Sequence, residues 1–354
     1  QSTPAKWRSY TLLIFSYLFF WSFSEKLIIY LIGTTFLTHH ICIWMDTMDK
    51  RDKRKKRVFQ LGILLLLGTI LCLKYRNFFF GNVSKLAMVL HIDWSYQDQL
   101  IFLPIGISFY TLSAIGYMAD VYWGKVKAEY SLVKTALFLG FFPIIVEGPI
   151  CRWEDVESTL FKNESVKAAN VFKGSYRIIW GLFKKMIIAD RLAVLVDKVY
   201  VGYESYSGAV IVAAAISYTI QLYMEFSGCM DMVIGSAGLF GIHLPENFSQ
   251  PFFAKTCTDF WKRWHITLGV WFKNYIFYPV SISKTARKWN KFTRKHFKGN
   301  FGKYMSRMGI AAMALFPVWI SNGLWHGPKW NYIFYGLYYF GLIFMGLALE
   351  PIRD

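Results

Sequence analysis

Charge is what this sequence has least of. Only 18% of its 354 residues are Asp, Glu, Lys or Arg, against about 25% in an average soluble domain. Apolar residues reach 55% and aromatics 19%, which excludes a disordered chain and argues against an ordinary soluble enzyme. Acids are scarcer still, 22 against 40 Lys and Arg, for a net charge of +18. Cysteine is sparse: Cys42, Cys72, Cys151, Cys229 and Cys257 are odd in number, widely spaced and without a CxxC pair. That leaves no disulfide framework and no zinc site. HExxH, GxxxxGK[ST] and GxSxG are all missing, which removes zinc hydrolysis, P-loop nucleotide binding and the serine elbow. GSAGLFG (235–241) places its glycines inside an apolar segment and is weak as a phosphate loop. With no internal repeat, no low-complexity linker and no alternating strand pattern, residues 1–354 read as one helical unit.

What is present is a series of long uncharged runs. Leu27–Met45 is free of Asp, Glu, Lys and Arg for nineteen residues and Leu100–Ala119 for twenty, near the roughly twenty needed to cross hydrocarbon. Val58–Leu73, Ser205–Met224 and Trp330–Leu349 are further candidates, as is Met308–Pro328, whose one titratable group is His326. Tyr10–Phe23 is short for a span. Thr135–Val146 and Asp231–Leu244 are short as well and read as re-entrant or interior segments, which need protein or a water cavity to satisfy their backbone. The spans predict an all-α integral membrane protein, and the cations agree. Lys50–Arg57 holds seven basic residues and Arg287–Arg307 eight. Each block lies between apolar stretches, as cytoplasmic loops do. Lys6 and Arg8 precede the first span, so an even number of crossings separates them from Lys50–Arg57 and the two assignments agree. By the same count Asp120–Tyr130 is inside. Nucleic acid is the other partner such a charge invites, and no binding motif accompanies it.

Ionisable groups that persist in apolar segments usually face an interior cavity. His326 ends one uncharged run and is followed at once by another, between Gly323 and Gly327. With an unperturbed pKa near 6.5 it can accept a proton at physiological pH; the plainer alternative is an inert histidine hydrogen-bonded at a helix end. His265 lies in Asp259–Pro279, where aromatic and charged residues alternate. That segment reads as an amphipathic helix with Trp at the interface, so His265 is either functional or a headgroup contact. Glu225 and Asp231 interrupt an apolar stretch six residues apart, off the i+3/i+4 positions. A capping role at a broken helix suits them better than catalysis. His39, His40, His91, His243 and His296 read as structural or loop residues.

Five stretches in order carry a resemblance to the membrane-bound O-acyltransferase family: LPIGISFYTLSAIGYMADVYWG (103–124), GFFPIIVEGPICRW (140–153), QLYMEFSGCMDMVIGSAGLFGIHLPENFSQPF (221–252), DFWKRWHITLGVWFKNYIFYP (259–279) and NGLWHGPKWNYIFYG (322–336). The likeness is to the bacterial branch that O-acetylates polysaccharides, as in alginate acetylation, with teichoic-acid D-alanyl transferases as near relatives. It implies a multi-span helical ring with short interior helices, around a central funnel where donor and acceptor meet. His326 matches the family's catalytic histidine and His265 the histidine of the WHI segment. The resemblance implies His326 as general base, with His265 orienting the donor or stabilising charge. Lys262, Arg263 and Lys273 would attract the phosphates of the donor or contact headgroups. Trp264, Asn322, Trp325, Glu225 and Asp231 complete the candidates for donor or substrate binding. No bound cofactor and no metal are implied. Acetyl-CoA or another acyl thioester is the donor substrate, and the acceptor is a cell-envelope polysaccharide, or a secreted or membrane-anchored partner O-acetyltransferase. Anionic lipids suit the basic face, at the plasma or bacterial inner membrane. Family members usually continue with more helices after the WHG motif; together with a start at Gln1, this makes the chain read as truncated at one or both ends. A transporter lacks support because no inverted repeat is visible. A non-catalytic scaffold is disfavoured by the presence of both His265 and His326.

Overall fold

The computed structural model describes residues 3–350. Among them every named element is helical, and one isolated bridge joins Phe248 to Trp264. The helices are α1 Arg8–Ser24, α2 Ile28–Asp46, α3 Lys53–Val89, α4 Ile107–Trp123, α5 Leu132–Gly140, α6 Trp153–Leu160, α7 (168–201), α8 Gly208–Leu239, α9 Cys257–Arg263, α10 (266–281), α11 Lys284–His296, α12 Gly299–His326 and α13 Trp330–Ala348. Three of them carry a turn wound wider than an α-helix: Leu71–Tyr75 in α3, Phe183–Ala189 in α7 and Lys273–Phe277 in α10.

Ala5–Asp46, α3, α8, α12 and α13 are long and apolar enough to cross a membrane. The first of these stretches is folded back on itself. Glu25 breaks it at φ 43°, and the Tyr17 and Thr35 hydroxyls lie 3.2 Å apart, whereas a straight helix would separate them by about 27 Å at 1.5 Å per residue. Outward faces stay apolar: Phe15, Leu64 and Val212 are all exposed. Such a surface suits lipid, and the protein is a multi-pass membrane protein.

The run Leu100–Ala119 behaves differently from the expectation of a plain span. It is helical only from Ile107, after a stretch without regular structure. Pro104 and Gly106 set the break. Gly106 takes φ +66°, and a Cβ there would stand 1.6 Å from the Ile145 carbonyl oxygen, so no other residue fits. From Ile107 on, α4 buries thirteen of its seventeen residues, against α2, α3 and α5. A helix apolar on all sides is an interior element, and α4 forms the centre of the core with Phe20, Leu31, Met45, Leu137 and Phe138. Thr135–Val146 does form short buried pieces, α5 and the single turn Phe142–Ile145. Asp231–Leu244 does not: through Leu239 it continues α8, which runs unbroken for 32 residues past both Glu225 and Asp231.

Helices α7 and α8 touch backbone to backbone. A Cβ on Gly181 would meet the Gly228 carbonyl oxygen at 2.5 Å, and one on Gly174 the Gly235 oxygen at 2.7 Å. Small residues permit this approach where lipid supplies no hydrophobic drive between helices. Gly228→Leu is therefore expected to force the pair apart at a cost of roughly 1–3 kcal/mol, read as a lower unfolding temperature of the purified protein. An unchanged temperature would show that the seam can open freely.

The basic stretches gather at one end. Tyr130 donates to the Asp46 carboxylate (3.2 Å), which brings the loop after α4 to the Lys50–Arg57 block. Tyr275 of α10 stacks on Trp123 at 5.9 Å, so α10 runs toward the same end and hands the chain to α11, whose last turn is Arg294, Lys295 and His296.

Candidate active site

The WHG segment closes α12. Asn322, Trp325 and His326 are spaced i, i+3, i+4 and share one face. Asn322 is buried and His326 is exposed. The α12–α13 turn is tight: a Cβ on Gly323 would stand 2.3 Å from the Tyr332 carbonyl oxygen. That turn sets His326 against Trp325 (ring centroids 5.0 Å), Tyr335 (5.7 Å) and Tyr332 (6.1 Å). The last carbonyls of a helix lack intrahelical partners. Here Tyr75 donates to Leu324 and Lys74 donates to Trp325 at 2.6 Å. Both come from the wide turn of α3, and a cation suits the negative end of α12.

The WHI segment is not the single amphipathic helix its sequence predicts. It breaks between α9 and α10. Ser249 N–H donates to the Arg263 carbonyl (2.9 Å) and Ile266 N–H to the Asn247 carbonyl (3.0 Å). This pairing with 247–249 holds Trp264 extended and His265 left-handed at φ 47°. Such a φ is uncommon outside glycine and is often found at functional sites. His265 is 3% exposed, and its ring packs against Phe226 (4.9 Å) and Trp325 (5.5 Å). His265 and His326 are thereby brought to the same tryptophan.

Around them lie polar atoms that find no partner among the described residues: His265 Nε2, Asn322 Oδ1, Trp325 Nε1 and Trp261 Nε1. Buried polar atoms are nearly always hydrogen-bonded. A set of both donors and acceptors left open beside two histidines is suited to a polar ligand.

The other candidates lie away from this group or are engaged elsewhere. Asp231 is tied to Lys184 (2.6 Å) and Arg177 (3.0 Å), and Glu225 to Lys185 (3.0 Å). These bonds join α8 to α7; neither acid caps a helix break. Arg263 binds Asp259 at 3.0 Å, and that hydrogen bond holds the Asp259 carboxyl below its usual range. Trp264 stacks on Phe260 at 5.7 Å. Lys262 is exposed, and so is Lys273, which sits over the Tyr278 ring. Sequence reasoning missed Lys74, Tyr75, Asn247 and Tyr335. Lys74 left a signal, a cation directly after the apolar run Val58–Leu73. Asn247, within PENF, left none.

Comparison with known proteins places these segments. The profile of the membrane-bound O-acyltransferase family matches residues 125–352. A probable alginate O-acetylase of Pseudomonas putida is 30% identical over 345 residues, covering 98% of this chain and 65% of that protein. A peptidoglycan O-acetyltransferase of Helicobacter pylori is 29% identical, covering 96% of this chain and 64% of that protein. A teichoic acid D-alanyltransferase of Bacillus subtilis is 29% identical over 241 residues, covering 66% and 56%. The chain thus spans less than two thirds of the length of these relatives.

Proposed function

The chain belongs to the membrane-bound O-acyltransferase family, and from that membership we propose that it moves an acetyl group from a cytoplasmic thioester to a hydroxyl of a cell-envelope polysaccharide. The observation that carries this reading is the meeting of His265 and His326 at the Trp325 ring, with His326 accessible to an incoming group. Neutral His326 takes the proton of the acceptor hydroxyl as that oxygen attacks the thioester carbonyl. The C–O bond forms, the C–S bond breaks, and the thiolate leaves with the proton that His326 held. Positioned proton transfer of this kind contributes about 10²–10⁴-fold.

Acetyl-CoA is the proposed donor. It approaches from the end that carries Lys50–Arg57 and α11, which the positive-inside rule assigns to the cytoplasm. The same cations attract its phosphates and anionic lipids. The relatives named for alginate and for peptidoglycan support an envelope polymer as acceptor, reached directly or through a partner O-acetyltransferase. The likeness to a teichoic acid D-alanyltransferase supports a second reading, in which the donor is a carrier-bound D-alanyl group.

The test is to express the full-length protein in a host lacking its own copy and measure base-labile acetate on the surface glycan. Acetate is the expected product. Esterified D-alanine in its place would move the reading to the second donor, and neither ester would overturn acyl transfer.

A further inference from the structure

We propose that Asn247 is a positioning residue that fixes His265 in its Nδ1–H form, so that Nε2 is a bare acceptor for an N–H or O–H of the substrate. The assignment starts from a peptide group. The backbone N–H of Thr267 lies 3.0 Å from one side-chain atom of Asn247. A peptide N–H only donates, so that atom is the amide oxygen, and an amide oxygen only accepts. His265 Nδ1 lies 3.2 Å from the same oxygen and must therefore carry a proton.

The neighbours leave that oxygen no other orientation. Thr267 Oγ1 stands 3.0 Å from it. That hydroxyl accepts from Ile150 N–H at 3.0 Å, which leaves its own proton for Asn247. The amide nitrogen of Asn247 turns to the Met230 sulfur, 3.2 Å away. Asn247 is 0% exposed, Ile150 2% and Thr267 5%, so water does not compete. The Asn247 carbonyl also takes the Ile266 N–H. Side chain and main chain of one residue thus hold the His265 ring and the two residues that follow it.

A neutral imidazole with its proton on Nδ1 has its lone pair on Nε2. That atom is buried and has no partner among the described residues. Of the two roles the family resemblance leaves open for His265, this form serves one. It orients a hydrogen-bearing group, such as an amide of the donor arm or the acceptor hydroxyl, and it offers nothing to a developing oxyanion. The proposed role rests on the acyl-transfer reading, whereas the tautomer itself does not.

The experiment is ¹⁵N NMR of the protein labelled at histidine in lipid bilayers, with the His265 signals assigned by their loss in His265→Gln. The wild type is expected to show Nδ1 protonated and Nε2 bare. Asn247→Asp keeps an acceptor and is expected to keep this pattern and most of the turnover. Asn247→Leu removes the acceptor; the proton is expected to redistribute toward Nε2, with turnover falling at least tenfold. A wild-type His265 protonated on Nε2 overturns the proposal without any variant having to fold. An unchanged pattern in Asn247→Leu overturns it as well. A wild type with the expected pattern but no transferase activity would overturn the acyl-transfer reading and leave the tautomer assignment standing.

Discussion

His326→Ala is expected to lower acyl transfer by at least a hundredfold at equal membrane abundance. The lower bound follows from the general-base contribution of about 10²–10⁴-fold. The loss should fall on turnover more than on donor affinity. His326 is the accessible member of the pair, and its position is set by the α12–α13 turn, with Lys74 and Tyr75 holding the two preceding carbonyls. Those supports are made by main-chain atoms of residues 324 and 325 and survive the substitution. The measurement is the initial rate of labelled acetyl transfer to a soluble glycan acceptor in inverted and right-side-out vesicles. A rate within threefold of wild type would remove His326 as the base and leave the scaffold reading in its place. His265→Ala serves as the comparison: it leaves the proposed base intact and removes a group that orients, so its effect should be smaller.

Asp231→Ala is expected to destabilise the protein by about 3–5 kcal/mol, the usual cost of leaving a buried charge without its partner. The Asp231 side chain is 13% exposed and that of Lys184 14%. Arg177 keeps its second carboxylate, Glu246 at 2.6 Å, so the ammonium of Lys184 is the group left stranded. Thermal unfolding of the purified protein is the readout. The companion substitution Lys184→Met, made in the Asp231→Ala background, should recover part of the loss, because it removes the stranded charge and keeps an apolar stem of similar length. An unfolding temperature equal to wild type in Asp231→Ala would mean that water reaches this pair and that α7 and α8 are held by their glycine seam alone.

Much of the architecture was legible because hydrophobic transfer is local. Six of the uncharged runs fall on α1, α2, α3, α8, α12 and α13, although α3, α8 and α12 extend well beyond theirs, since a segment that must cross hydrocarbon declares itself by composition. Leu100–Ala119 misled for the same reason. A helix buried in protein and one facing lipid have the same composition, and the strict requirement for glycine at 106 comes from the Ile145 carbonyl, far along the chain. Acids inside an apolar helix look like interruptions when read alone. Glu225 and Asp231 sit in an unbroken α8 because Arg177, Lys184 and Lys185 of α7 satisfy them. For the candidate site, His265 and His326 were visible as polar residues in apolar surroundings. The break at His265 was not, because it depends on a bridge to Asn247–Ser249. Asn247 is an uncharged residue in a loop, and its importance lies in three donors that converge on one oxygen.

The wide turns of α3, α7 and α10 have a geometric consequence. Each inserts about one extra residue into the winding of an otherwise regular helix, and one residue corresponds to roughly 100° of rotation at 3.6 residues per turn. The two halves of each helix are therefore out of phase. Upstream of Leu71 the helix carries one stripe of side chains; from Arg76 onward the stripe is rotated by about a quarter of a turn. Between the two lie Lys74 and Tyr75, aimed at the end of α12. A periodicity read across 53–89 as one helix mixes two phases about 100° apart and is weakened, so it blurs the face on which Lys74 and Tyr75 meet α12.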